Sequence, residues 1–258
     1  MPYLRPTTQR LFYTRQGSHS HYPAVVLVHG AGSSHLVWPG ALRRLPNTAV
    51  YTLDLPGHGR SDPPGCQQID DYARQVLAML TKLEIIHYVI AGHSMGGAIA
   101  QAIGRQQPPG LAGLVLLGTS ARLPVSPTIL ENARTNPDKA IDLIIRHAWS
   151  AQVPDVVRQQ ARQQLAAVDP AVLHGDFLAC QQFDMTAELA QIPAPALVIS
   201  GSADRMTPAK YGRALAAGLP NGRYHEIDGA GHYLMVEQPD AVAAPVRDFL
   251  HECAARSK

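Results

Sequence analysis

Short apolar runs alternate with amphipathic stretches along most of the chain. Residues 11–14, 24–28, 50–53, 88–91, 114–117, 196–200 and 223–227 read as strands, and the second of these is apolar throughout, as a strand covered on both faces requires. Residues 69–83 carry apolar side chains at Ile69, Tyr72, Val76, Met79, Leu80 and Leu83 behind an acidic start at Asp70 and Asp71, which predicts a helix with one buried face. Further helices are expected over 98–107, where Pro108 and Pro109 stop the pattern, and over 208–218 and 240–255. The alternation predicts an α/β fold, a mostly parallel sheet with helices on both faces. Between about 121 and 190 it breaks. No strand-like run occurs there, and helical patterns recur at 127–135, 138–150, 154–168 and 170–183, several opening on Pro or Asp. The expected organisation is therefore a core domain of residues 1–120 and 191–258, with residues 121–190 inserted as a helical cap over the sheet edge.

Composition narrows the function classes. The 258 residues hold 22 Lys plus Arg against 20 Asp plus Glu, a balance that argues against a nucleic-acid surface. The longest apolar runs fall far short of the roughly 20 residues a membrane span needs, and the first residues lack the apolar stretch of a secretory signal, so a cytoplasmic protein is expected. Cys66, Cys180 and Cys253 are too few and too widely spaced for a disulfide framework or a zinc knuckle. Charged residues make up 16% of the chain, below the usual ~25%, and the apolar surface this implies leaves monomer and homodimer both open.

The candidate chemistry begins at Gly92-His93-Ser94-Met95-Gly96, a Gly-x-Ser-x-Gly pattern between an apolar strand and a helix of small residues. A serine in so tight a strand-to-helix turn brings the chain close to itself two residues before and two after, so both flanking positions must lack bulk. The helix start also places a positive partial charge beside a developing oxyanion. The chain resembles the α/β-hydrolase superfamily at four places in order: His29-Gly30-Ala31-Gly32 is similar to its oxyanion loop, residues 54–62 to the loop after its fourth strand, and residues 201–204 and 229–232 to its acid and histidine loops. The resemblance spans nearly all of the chain outside the insertion and implies an eight-stranded sheet.

A serine hydroxyl needs an adjacent base, and the base an acceptor that fixes its tautomer. In this superfamily the acid and then the histidine follow the serine. Of the histidines beyond the last acid loop, His225 falls in a strand and His251 in a helix, whereas His232 lies in a glycine-flanked loop and is the expected base. Asp204 follows the 196–200 strand and is the expected acid; the loop Gly118-Thr119-Ser120-Ala121, where some members carry theirs, has no carboxylate. Asp228 reads as a turn residue. The backbone N–H groups of Ala31 and Met95 are the expected oxyanion hole. His29 and His93 read as positioning groups, the 54–62 loop as scaffold, and His19 and His21 as a solvated pair without a third ligand. No motif calls for a metal or cofactor.

Serine at the elbow disfavours routes that use an aspartate there and leaves an acyl-enzyme. The expected activity is hydrolysis of a carboxylic ester with a small or medium acyl group. Two alternatives stand beside it: hydrolysis of a carbon–carbon bond or enol lactone in a ring-cleavage product, with Arg122, Arg146, Arg158 or Arg162 as a carboxylate partner, and a ligand-binding receptor that retains the hydrolase fold. The substrate is a small molecule in either enzymatic reading, and Trp149, Phe177 and Phe183 are the candidate pocket residues.

Overall fold

A computed structural model describes residues 2–18 and 22–255; the His19 and His21 pair lies outside the described residues. Eight strands, β1 (Tyr3–Leu4), β2 (Leu11–Gln16), β3 (Ala24–Val28), β4 (Val50–Leu53), β5 (Tyr88–His93), β6 (Leu111–Leu117), β7 (Ala196–Gly201) and β8 (Gly222–Ile227), form one open sheet in the order β1-β2-β4-β3-β5-β6-β7-β8. From β4 through β8 all neighbours are parallel, while β2 pairs antiparallel with both β1 and β4. The mostly parallel α/β sheet expected from the alternation is thus present. Its eighth strand is the two-residue β1, too short to leave a periodic signal.

Strand side chains alternate between the two faces. Val26, Ile90, Leu116 and Val198 pack with α2 (Ile69–Lys82) and α3 (Met95–Gln106). Leu27, Val89, Val115 and Ile199 pack on the other side with α1 (Gly40–Arg43), α9 (Leu234–Glu237) and α10 (Pro239–Ala255). The segment joining β6 to β7 contains α4 (Pro127–Thr135), α5 (Pro137–Ala148), α6 (Asp155–Ala166) and α7 (Pro170–Gln182), and α8 (Ala209–Gly218) joins β7 to β8. Pro at the first turn of α4, α5 and α7, with Asn136 and Asp169 accepting from the N–H groups of Lys139 and Ala171, explains why these starts were visible in the sequence. The helices have an apolar cluster of their own, including Ile141, Ile144, Leu165 and Leu173.

Two expected boundaries differ because the chain turns more tightly than periodicity reveals. β5 continues to His93, and α3 begins at Met95 rather than 98, leaving Ser94 alone as the turn. The closeness is backbone against backbone: a Cβ on Gly96 would lie 2.1 Å from the carbonyl oxygen of Val28, and one on Gly92 would lie 2.0 Å from that of Gly96. Gly96→Ala is therefore expected to destabilise the protein by about 3 kcal/mol in urea unfolding, since the clash is with main chain that has nowhere to move. Gly40→Ala, where the nearest atom is the mobile guanidinium of Arg44, should change stability by less than about 0.5 kcal/mol. Equal losses would refute the assignment of that close approach to Gly96.

Candidate active site

Ser94 sits between β5 and α3 with φ 53° and ψ −117°, a conformation that costs a non-glycine residue about 1–3 kcal/mol. The surroundings hold it there. Its N–H donates to the carbonyl of Leu117 at 2.9 Å, and its own carbonyl accepts from Gly97 at 2.8 Å and Ala98 at 3.2 Å. The half-buried side chain lies in the wall of a cavity of about 870 Å³, which also contains Ala31 and His232.

Asp204 leaves the end of β7 and is buried. One carboxylate oxygen accepts the N–H groups of Met206 and Thr207 at 2.8 and 2.9 Å; the other accepts His232 Nδ1–H at 2.9 Å and the Thr207 hydroxyl at 2.7 Å. Burial opposes ionisation of Asp204, but His232 and these donors outweigh it and hold its carboxyl below the ordinary range. With the Nδ1 proton committed to Asp204, Nε2 is the basic nitrogen of His232. The His232 main chain is held on both sides, its N–H by the carbonyl of Ala148 at 2.9 Å and its carbonyl by His93 Nε2–H at 2.9 Å. Ser94 and His232 thus line one cavity, with Asp204 buried behind His232. Thr207 was missed, although its place three residues after an Asp and just before Pro208 is the pattern of a side-chain-closed turn.

His29 Nδ1–H donates to the carbonyl of Gly30 at 2.8 Å, while its Nε2 accepts the N–H of Leu55 at 3.0 Å. The Gly30 carbonyl and the Ala31 N–H belong to one planar trans peptide and point in opposite directions, so a ring that holds the first also aims the second. Among the described residues no acceptor takes the N–H of Ala31 or of Met95. Met95 is wholly buried at the first position of α3. The 54–62 loop is tied to its neighbours through Asp54, which accepts from the N–H groups of His35 and Arg60 and from the His35 ring. Asp228 accepts from the Ser202 hydroxyl at the end of β8.

The aromatic candidates separate. Phe177 lines the cavity. Trp149, which ends α5, instead stacks on Tyr233 with ring centroids 4.6 Å apart, and Phe183, which ends α7, joins the apolar cluster of α2 and α3. Aromaticity alone, which makes both of them candidates, does not separate cavity from core. Arg122, Arg205 and His147 do reach the cavity, and none of its lining residues is Asp or Glu. Arg162 pairs with Asp138 and Asp142, and Arg158 donates to the carbonyl of Ser150. Among the described residues no three His, Cys, Asp or Glu side chains are grouped to hold a metal ion, and no helix is long and apolar enough to cross a membrane.

Residues 25–244 match the sequence model of the alpha/beta hydrolase family. The chain is 30% identical over 249 residues to the 2-hydroxy-6-oxononadienedioate/2-hydroxy-6-oxononatrienedioate hydrolase of Cupriavidus pinatubonensis, covering 88% of this chain and 86% of that protein. It is 28% identical over 244 residues to the pimeloyl-[acyl-carrier protein] methyl ester esterase of Yersinia enterocolitica, covering 88% and 93%. Among solved structures, the enol-lactonase of Burkholderia xenovorans superposes with a TM-score of 0.90 at 28% identity, over 97% of this chain and 100% of that one.

Burial, reinforced by the neighbouring His232 ring, holds His93 down to about 3; burial, followed by the charge of His58, holds His29 to about 4. Both rings are neutral in the folded protein at pH values where the unfolded chain binds a proton to each, so their contribution is intact above pH 6.5 and is lost as pH falls. The stability in urea is expected to fall by about 3 kcal/mol between pH 6.5 and 5, the slope for each ring approaching ~1.4 kcal/mol per pH unit well below pH 6.5. His93→Asn should remove about half of that slope, and an unchanged slope in the variant would show that His93 does not titrate this way.

Proposed function

The chain belongs to the alpha/beta hydrolase family, and from that premise we propose that it is a serine hydrolase acting on carboxylic esters with small or medium acyl groups. One observation carries the reading: the strained Ser94 and His232, whose Nδ1 is held from behind by the buried Asp204, line one cavity. Ser94 Oγ attacks the acyl carbon as His232 Nε2 takes its proton, and the Ala31 and Met95 N–H groups receive the oxyanion. Collapse of the tetrahedral species breaks the bond to the leaving alcohol, which leaves with the proton from His232. Water then adds to the acyl-enzyme by the same route in reverse and releases the acid and Ser94. Asp204 keeps the imidazole in its reactive tautomer and stabilises the imidazolium. Residues 121–190 act as the cap over this centre, with Phe177 against the acyl group.

Hydrolysis of an enol lactone or carbon–carbon bond in a ring-cleavage product is the second reading, and Arg122 and Arg205 in a cavity wall without carboxylates favour it. Arg122 is paired with Asp184 at 3.1 Å, so an anionic substrate has to compete with that side chain. A small-molecule substrate and action in the cytoplasm as a monomer or homodimer complete the proposal; the absence of any disulfide among the described residues agrees with a reducing compartment.

Steady-state hydrolysis of p-nitrophenyl butyrate tests the chemistry. Ser94→Ala and Asp204→Asn are each expected to lower kcat by about 10⁴-fold, and a fluorophosphonate should label Ser94 in the unaltered protein. Turnover equal to that of Ser94→Ala would refute the enzymatic reading and favour a receptor. Arg122→Ala should raise KM for a carboxylate-bearing enol lactone about tenfold while leaving the neutral ester unaffected; a common KM for both proteins on the lactone removes the second reading.

A further inference from the structure

Asp176 lies on α7, in the middle of the proposed cap, and is completely buried. It accepts three hydrogen bonds from three other parts of the chain. One oxygen takes the Tyr72 hydroxyl of α2 at 2.6 Å; the other takes the Gly32 N–H at 2.8 Å and His58 Nε2–H at 2.8 Å. His58 also donates Nδ1–H to the carbonyl of Pro56 at 2.9 Å, so both ring nitrogens act as donors and the ring is an imidazolium. Burial opposes that charge, but Asp176 outweighs it and raises the affinity of His58 for its proton.

The Gly32 N–H is the link to chemistry. It belongs to the peptide that follows Ala31, and the preceding peptide is held by His29 through the Gly30 carbonyl. With both planes fixed, Ala31 has no remaining rotation about either of its backbone bonds, and the direction of its own N–H is set. Two cap leucines close over the same point: a Cβ on Gly32 would lie 2.4 Å from Leu165 and 2.7 Å from Leu173. We propose that Asp176 is a positioning residue for the oxyanion hole, so that the cap completes the catalytic machinery as well as bounding the pocket. This rests on the reading of Ala31 as an oxyanion donor.

Asp176→Asn keeps the shape and removes the charge that holds Gly32. Relative to the unaltered protein, kcat on p-nitrophenyl butyrate is expected to fall at least tenfold with KM within twofold, since the donor is misaimed in the transition state and the acyl pocket is unchanged. Deuterium uptake of the peptide covering residues 29–35 should rise at least tenfold in rate. Ile144→Ala, a lesion in the cap's apolar cluster away from the cavity wall, should lower Tm while leaving kcat within twofold, which separates positioning from general loosening. Should the single variant fail to fold, Asp176→Asn combined with His58→Asn, which removes both buried charges together, takes the same two measurements. A folded variant with kcat within twofold overturns the proposal whatever its exchange. If the unaltered protein turns over no faster than Ser94→Ala, the ester reading fails separately, and exchange at 29–35 alone decides whether Asp176 sets the loop.

Discussion

The contact on which the rest depends is the approach of Gly96 to the carbonyl of Val28. It brings the first turn of α3 against the end of β3 without a side chain between them. Two consequences follow from that closeness. Ser94 has to turn within one residue, which gives it its positive φ, and the loop leaving β3 is drawn alongside, so that a Cβ on Gly30 would lie 3.2 Å from Ser94 Cβ. The hydroxyl and the amides proposed to serve it are neighbours because two backbones touch, and the hydrogen bonds of Ser94 to Leu117, Gly97 and Ala98 hold the strain in place.

Around this contact histidine is the commonest buried residue that can carry a charge. His29, His35, His58, His93 and His232 are all buried, and they take different electrical states according to their partners. His29 and His93 meet carbonyls or an N–H and stay neutral, whereas His58 meets Asp176 and carries a charge. A lysine ammonium in any of these places would bring a charge and no acceptor. Imidazole can donate from one nitrogen and accept at the other, as His29 does between Gly30 and Leu55. The 16% charged composition thus understates how polar the interior is.

Much of the fold was legible in the sequence because its signals were local. Fully buried parallel strands leave unbroken apolar runs, and Pro and Asp mark the starts of helices in the 121–190 segment within a residue or two. The glycine-flanked Ser94, and Asp204 and His232 in loops after strands, were readable because tight turns constrain residue type. What escaped was non-local. Asp176 is the one carboxyl in its helix, and its partners Gly32, His58 and Tyr72 are 104 to 144 positions away in sequence. Trp149 and Phe183 escaped for the same reason, since only the packed structure separates an aromatic ring in a core from one in a wall.

The four-helix segment leaves the sheet at β6 and returns at β7, and these strands are hydrogen-bonded neighbours. The ends of the insertion are therefore fixed by the sheet whatever lies between them, and lengthening such an excursion costs only about 0.6 kcal/mol of closure entropy per doubling. Evolution can remodel this segment, and with it the walls of the cavity, without altering strand register. The tie from α7 to Gly32 limits that freedom at one point: a replacement segment inherits the sheet at no cost but must bring its own acceptor for that N–H.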